Sequence, residues 1–285
     1  MQGQHWGLKA RALLLAALLG IAPQALAGPS PAEYLEFLDA RIAADPMNPE
    51  HYLRRATMHA DSGHPAAAQK DLARAEKVGG VTSETQLTRG ILAYRAGQFR
   101  EARRQFDRVL AKNPEATAAL SYRARLLRDL RQNSAALADY QKLIALDPQV
   151  DLGHYLATAT LLLKDNTQGP EAALQLLDAR MAQIGVVPQL QGEAIRIEQQ
   201  RGRTAAVVRR LRAMDAHTQS SPEWQMDLGE ALLGDCQLLA AAESFKQAKA
   251  TLAARRDTVA NQTAQKRLAL LMETSASTDC TDGRK

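Results

Sequence analysis

The sequence predicts an all-α chain, a solenoid of stacked helix pairs, and three observations carry that prediction. First, residue types return every 34 positions. Gly90 is flanked at that distance by Ala56 and Ala124, Ala102 by Ala68 and Ala136, Phe106 by Leu72 and Tyr140, and Pro114 by Gly80 and Pro148. Gly97 has a counterpart in Gly63, while Arg131 takes the place on the other side. A fixed period of this kind marks one supersecondary unit that cannot bury its apolar face alone and must stack on its neighbours. Second, aromatic residues make up only 4% of the 285 positions, which favours close helix packing over β structure. Third, the recurring small residues come as one per helix, where antiparallel helices need them to approach to about 8–10 Å.

Residues 1–27 read as a signal peptide. Lys9 and Arg11 supply the positive end, residues 12–22 an apolar run, and Pro23 a break. Ala25-Leu26-Ala27 then gives a small-x-small site, with cleavage expected after Ala27. The run falls short of the roughly 20 residues a bilayer span needs. No Cys follows the site, so nothing supports a lipid anchor. The mature chain is therefore expected to be exported, periplasmic or secreted, with no transmembrane segment. Removing the two cations from the formal +5 leaves +3, an ordinary surface balance. With no basic stripe and few aromatics among the basic residues, the composition argues against a nucleic-acid partner.

Residues 28–48 are expected to form an N-terminal capping helix. Ser30 can cap it, Pro31 suits the first helical position, and Glu33 completes a capping box. Tyr34, Leu35, Leu38 and Ile42 lie on one face. The segment matches the second half of a repeat, as a solenoid cap would. The repeat domain covers 49–255. Three units in close register occupy 49–82, 83–116 and 117–150, with Pro114 and Pro148 ending second helices. The period then loosens. Residues 151–187 need about three extra positions, best placed in 164–170, for Ala173 and Leu177 to align. Units at 188–219 and 222–255 follow. Residues 256–273 are expected to form a C-terminal capping helix, and 274–285 a flexible tail.

Repeat two, with Gly90, Gly97, Phe99, Ala102, Phe106 and Pro114, resembles the tetratricopeptide repeat most closely. The family's tryptophan is replaced by Tyr52, Gln86 and Leu120, and its leucine by Arg55, Arg89 and Arg123. The resemblance implies a right-handed α-solenoid of about six helix pairs with N- and C-terminal capping helices. It also implies a concave groove lined by first helices. Carried onto this chain, the groove positions are Leu53, Thr57, Leu87, Ile91, Tyr94, Arg95, Ser121, Arg125, Arg128, Tyr155, Ala159, Leu162, Arg196 and Gln199. Arginine presents a fork matched to carboxylates, so an apolar floor crossed by arginines suits an acidic protein or peptide partner. The lysine and asparagine of the family's chaperone-tail clamp are absent, because Leu53 and Thr57 stand at their first-repeat positions.

Little else carries chemistry. The histidines lack H-E-x-x-H spacing and a cysteine partner at zinc spacing, so no metal site is expected. Phosphate-loop, nucleophile-elbow and dinucleotide motifs are absent in suitable context, and no cofactor is expected. Cys236 falls at an inter-helix turn and Cys280 in the tail; in an oxidising compartment they are a candidate disulfide. The expected function is a non-enzymatic exported scaffold or adaptor. A structural subunit of a cell-envelope assembly or secretion complex is the alternative. An enzyme acting on envelope polymers ranks last, because no site is visible.

Overall fold

The computed structural model describes residues 30–165, 168–256 and 258–278; residues 1–27, on which the expectation of a signal peptide falls, and Cys280 lie outside them. Among the described residues there are fifteen helices and no strands. They divide into two compact units, one ending at Pro114 and one beginning at Glu115.

The first unit holds α1 (Pro31–Ala44), α2 (Pro49–Asp61), α3 (Pro65–Gly79), α4 (Ser83–Arg95) and α5 (Phe99–Lys112). Ser30 caps α1 as expected. Its hydroxyl accepts from Glu33 N–H at 3.3 Å, while Ser30 N–H donates to the Glu33 carboxylate at 2.6 Å. Proline at or beside the first helical position opens α1, α2 and α3, where the missing N–H costs nothing. Helices α2 and α3 form one pair and α4 and α5 the next, with α1 packed against α2. Tyr52, Leu53, Ala68, Leu72, Ala75 and Leu92 make a continuous core between the pairs.

The second unit begins with α6 (Thr117–Asp129), α7 (Asn133–Leu146), α8 (Leu152–Leu162), α9 (Gly169–Ile184) and α10 (Pro188–Gln200). It continues with α11 (Thr204–Arg212), α12 (Ala216–Gln219), α13 (Pro222–Gly234), α14 (Leu238–Ala253) and α15 (Val259–Ser277). Four pairs are recognisable: α6 with α7, α8 with α9, α10 with α11 and α13 with α14. Together with the first unit this gives the six pairs expected, and α15 covers α14.

The two classes of small residue sit at helix crossings. Ala56, Ala68, Ala102, Ala124 and Ala136 are fully buried. A Cβ added at Gly90 would lie 2.6 Å from the Phe106 ring, and one at Gly229 would collide with Phe245. The turns inside five of the pairs carry a left-handed residue. Gly63, Gly97 and Gly202 supply it, and the backbone keeps this conformation where the glycine is missing, with φ of 59° at Arg131 and 55° at Cys236.

Two boundaries differ from expectation. The last helix begins at Val259 and continues to Ser277, four residues past the expected end at 273. The Ser/Thr-rich sequence does not fray there, because Thr274, Ser277 and Thr278 return hydroxyl hydrogen bonds to carbonyls on the preceding turn. The short helix α12 was not anticipated either; Asp215 caps it by accepting from Thr218 N–H at 2.9 Å. The longer connection in the fourth pair is present. From Leu162 to Gly169 it runs three residues more than the link from Arg95 to Phe99.

Candidate partner-binding face

The proposed groove residues fall on the first helices of successive pairs, but not all of them reach solvent. In the first unit Ile91 is 6% exposed and Leu53 is buried, so both belong to the interior. Leu87 and Tyr94 are half-buried, with the Tyr94 ring 6.1 Å from that of Phe99. Arg95 is exposed and forms an ion pair with Asp61 at the end of α2.

In the second unit Tyr155 is a correction to the sequence-based expectation. It is 3% exposed, donates its hydroxyl to Pro148 O at 2.9 Å, and carries the Arg180 guanidinium 5.4 Å over its ring. Ala159 and Leu162 are buried with it. The hydrophobic period cannot separate a groove floor from a core, because a first helix packed on several sides buries more than one stripe. Burial pushes the Tyr155 phenol above its ordinary value.

What remains accessible in this unit is polar. Arg125 on α6 lies 5.6 Å over the Tyr122 ring and 3.5 Å from His154 Nε2 on α8. Ser121 Oγ is 2.7 Å from the same nitrogen. The other ring nitrogen, Nδ1, lies 3.3 Å from Asp151 O, so it carries the proton and Nε2 accepts. Burial, and then the Arg125 charge, hold the His154 imidazole below its usual range. Arg128 is exposed and 3.3 Å from Asp129, and Arg196 is paired with Glu193 one turn away. Of the four groove arginines, Arg125 alone has no carboxylate partner among the described residues.

Two features escaped the sequence reading. Arg55 makes two hydrogen bonds to Asp71, at 2.8 and 2.7 Å, and Arg123 makes the same pair of bonds to Asp139 at 2.7 Å each. The signal was present, since arginine and aspartate recur sixteen residues apart in repeats one and three. The second feature is the buried carboxylate of Glu198 on α10. Cys236 is exposed and disulfide-bonded, and its candidate partner Cys280 lies outside the described residues. Among the described residues, no group of His, Cys, Asp or Glu is placed to hold a metal ion. No helix among them is long and apolar enough to cross a membrane.

Helix pairs with a small residue opposite a large one at each crossing, stacked pair upon pair, define a helical-repeat protein. Residues 87–151 match the family described as tetratricopeptide repeat. No curated protein sequence matches it. Among solved structures, the MamA protein aligns with a TM-score of 0.50 at 16% identity, over 62% of this chain and 97% of its own. A tetratricopeptide repeat protein from Parabacteroides merdae ATCC 43184 covers 95% of this chain and 100% of its own, at 16% identity and a TM-score of 0.45. A thermophilic repeat protein of Thermus thermophilus is 22% identical over 67% of this chain and 100% of its own, with a TM-score of 0.37. Repeats of this family are protein-binding scaffolds and are typically non-catalytic.

Proposed function

We propose that this protein is a non-enzymatic exported scaffold that holds an acidic protein or peptide partner on the exposed face of its first helices. The observation that carries the reading is Arg125. Its guanidinium is half-buried, rests on Tyr122, and has no carboxylate of its own among the described residues. A partner carboxylate there would form a charge-assisted, two-point contact without first displacing an internal ion pair. Arg196, already paired with Glu193 in the same unit, contributes less. Export rests on the positive end, apolar run and Ala25-Leu26-Ala27 site of residues 1–27.

The test is site-specific photo-crosslinking in the native compartment. A photoreactive residue at position 128 should give a discrete adduct with an identifiable partner, and one at exposed Lys142 on α7 should not. Arg125→Glu should remove the adduct while helicity is unchanged. An equally strong adduct from position 142, or one indifferent to Arg125→Glu, would overturn the assignment. Intact-mass measurement on the exported fraction should find a chain beginning at Gly28; a cytosolic chain retaining residues 1–27 would overturn export.

A structural subunit of an envelope assembly has its own support in α15, where Val259 and Leu270 are 81% and 63% exposed. Adducts from position 270 in place of position 128 would favour that reading.

A further inference from the structure

Helix α3 gives up its anions and keeps its cations. Both of its carboxylates are taken by arginines of first helices. Asp71 accepts two hydrogen bonds from Arg55 on α2, at 2.8 and 2.7 Å, and Glu76 pairs with Arg89 on α4. Every arginine of α2 and α4 holds a carboxylate in this way. The three basic residues of α3, Lys70, Arg74 and Lys77, have no carboxylate partner among the described residues. They stand at i, i+4 and i+7, on one side of the helix. The helix dipole accounts for Lys77 in the last turn but not for Lys70 and Arg74, which lie mid-helix. Like charges at this spacing work against the helix when nothing anionic covers them.

All three cations line one cleft of about 490 Å³ between α1, α2 and α3. Ile42 on α1 and Ala73 on α3 add an apolar lining. Tyr52 is buried beneath them, its hydroxyl donating to Pro46 O at 3.1 Å, and the Arg74 guanidinium lies 5.9 Å over its ring. That contact steadies Arg74 before any ligand arrives, which lowers the ordering cost of binding. Among the described residues lining the cleft, Asp71 alone is acidic, and Arg55 already satisfies both of its oxygens. The cleft therefore presents unneutralised positive charge beside a small apolar surface.

We propose that this cleft binds an extended acidic segment of a protein partner, with carboxylates at alternate residues. The helical rise sets Lys70 and Arg74 about 6 Å apart along α3, and Arg74 and Lys77 about 4.5 Å. Alternate residues of an extended chain are about 6.5 Å apart and point to one side, a spacing that flexible lysine stems can follow. Arg74 takes the central carboxylate through its planar fork. The site lies within the first unit and shares no residue with the Arg125 face, so the failure of either leaves the other standing.

The probe is the capped pentapeptide Glu-Ala-Glu-Ala-Glu, titrated at low salt into the full mature chain while the Ile42 methyl signal is followed by NMR. Three comparisons accompany it: the glutamine analogue, a permuted peptide with the three glutamates adjacent, and inorganic tripolyphosphate. The expected result is a saturable Ile42 shift with the alternating peptide and none with the glutamine analogue. The permuted peptide and tripolyphosphate should bind at least fivefold more weakly. Arg74→Gln should weaken the alternating peptide at least tenfold. Arg54→Gln, which removes the same charge from an exposed pair with Glu50, should leave its affinity unchanged. Equal affinity for the alternating and permuted peptides, or equal losses in the two variants, would reduce the cleft to general surface charge and overturn the proposal. Tighter binding of tripolyphosphate would make it a phosphate site, and no Ile42 shift would leave the cations merely solvated; either result overturns it as well. Should Arg74→Gln lose helicity, the comparison of probes on the natural chain decides alone.

Discussion

Arg55 and Arg123 stand where the tetratricopeptide pattern has leucine, and each places its guanidinium squarely on an aspartate of the paired helix. Asp71 and Asp139 are 4% and 6% exposed, so these carboxylates sit inside the helix pair. Removing one partner strands the other charge, which costs about 3–5 kcal/mol when burial is complete. Arg123 keeps a quarter of its side chain exposed, so Asp139→Ala should destabilise by roughly 2–3 kcal/mol, read as a drop in urea midpoint. Repeat two breaks the pattern in both places. Gln105 stands where aspartate would, its Oε1 is buried without a partner, and Arg89 turns back to Glu76 on α3. The pairing was legible only in hindsight, because sixteen residues is not a spacing at which one helix brings side chains together. It becomes a contact only once the turn folds two helices antiparallel. At that turn, Arg131 occupies a left-handed position that glycine fills in the two preceding repeats. The conformation costs an ordinary residue about 1–2 kcal/mol, and glycine gives back about 0.5–1 in the unfolded chain. Arg131→Gly should therefore stabilise by about 0.5–1 kcal/mol, seen as a higher urea midpoint with unchanged slope.

At the scale of the helix pair, the crossing is set by one small and one large residue sixteen apart. Repeat one uses Ala56 with Leu72, repeat two Gly90 with Phe106, and repeat three Ala124 with Tyr140. The last pair returns to glycine, with Gly229 against Phe245. In Gly90→Ala the added methyl meets the Phe106 ring, and overpacking of this kind costs about 1–3 kcal/mol. Alanine's better helix propensity offsets about 1 of that. A net loss of about 1 kcal/mol is expected. Phe106→Leu alone should cost more, through the cavity it leaves. Together the two changes recreate the crossing of repeat one, so the double variant should be more stable than the sum of the single effects predicts, by about 1 kcal/mol. Additive effects would mean that the helices do not meet at this point. The elements themselves were legible wherever the period held, and the longer fourth-pair connection was legible too, because Ala173 and Leu177 fixed the register on its far side. Short α11 and the small α12 were not. Arg209, Arg210 and Arg212 close the last turn of α11 and are good helix formers, so propensity gave no reason for it to stop at Arg212. Ile91 and Tyr155 were misplaced for a related reason, since a repeat consensus marks which helix faces inward and says little about how deep each side chain lies.

For the molecule as a whole, pH separates the interior from the surface. Exposed carboxylates with lowered pKa values, such as Glu33 held by Ser30 and Asp215 held by Thr218, favour the folded state above their ordinary range near pH 4. That contribution is lost as pH falls through their lower folded values. His154 acts in a different window and through the opposite ionic form. Its imidazole is held neutral by burial and by Arg125, so the unfolded chain binds the proton more readily than the folded one. Stability then rises with pH between the lowered folded value and about 6.5, and falls as the solution is acidified below about 6.5. Protonation would also put a cation 3.5 Å from Arg125 and remove the acceptor that Ser121 uses. Urea midpoints between pH 7.5 and pH 4 should thus fall in two steps for the natural chain. In His154→Gln the upper step should disappear while the lower one stays. The variant should start with a lower midpoint at pH 7.5, because Gln fills the buried site less well than imidazole does. If both proteins lose stability in parallel between pH 6.5 and 5, the upper step belongs to another group and the neutral state of His154 contributes nothing to folding. If the upper step does vanish in the variant, partner capture through Arg125 acquires its own acid dependence, since Arg125 and His154 share one contact on the proposed binding face.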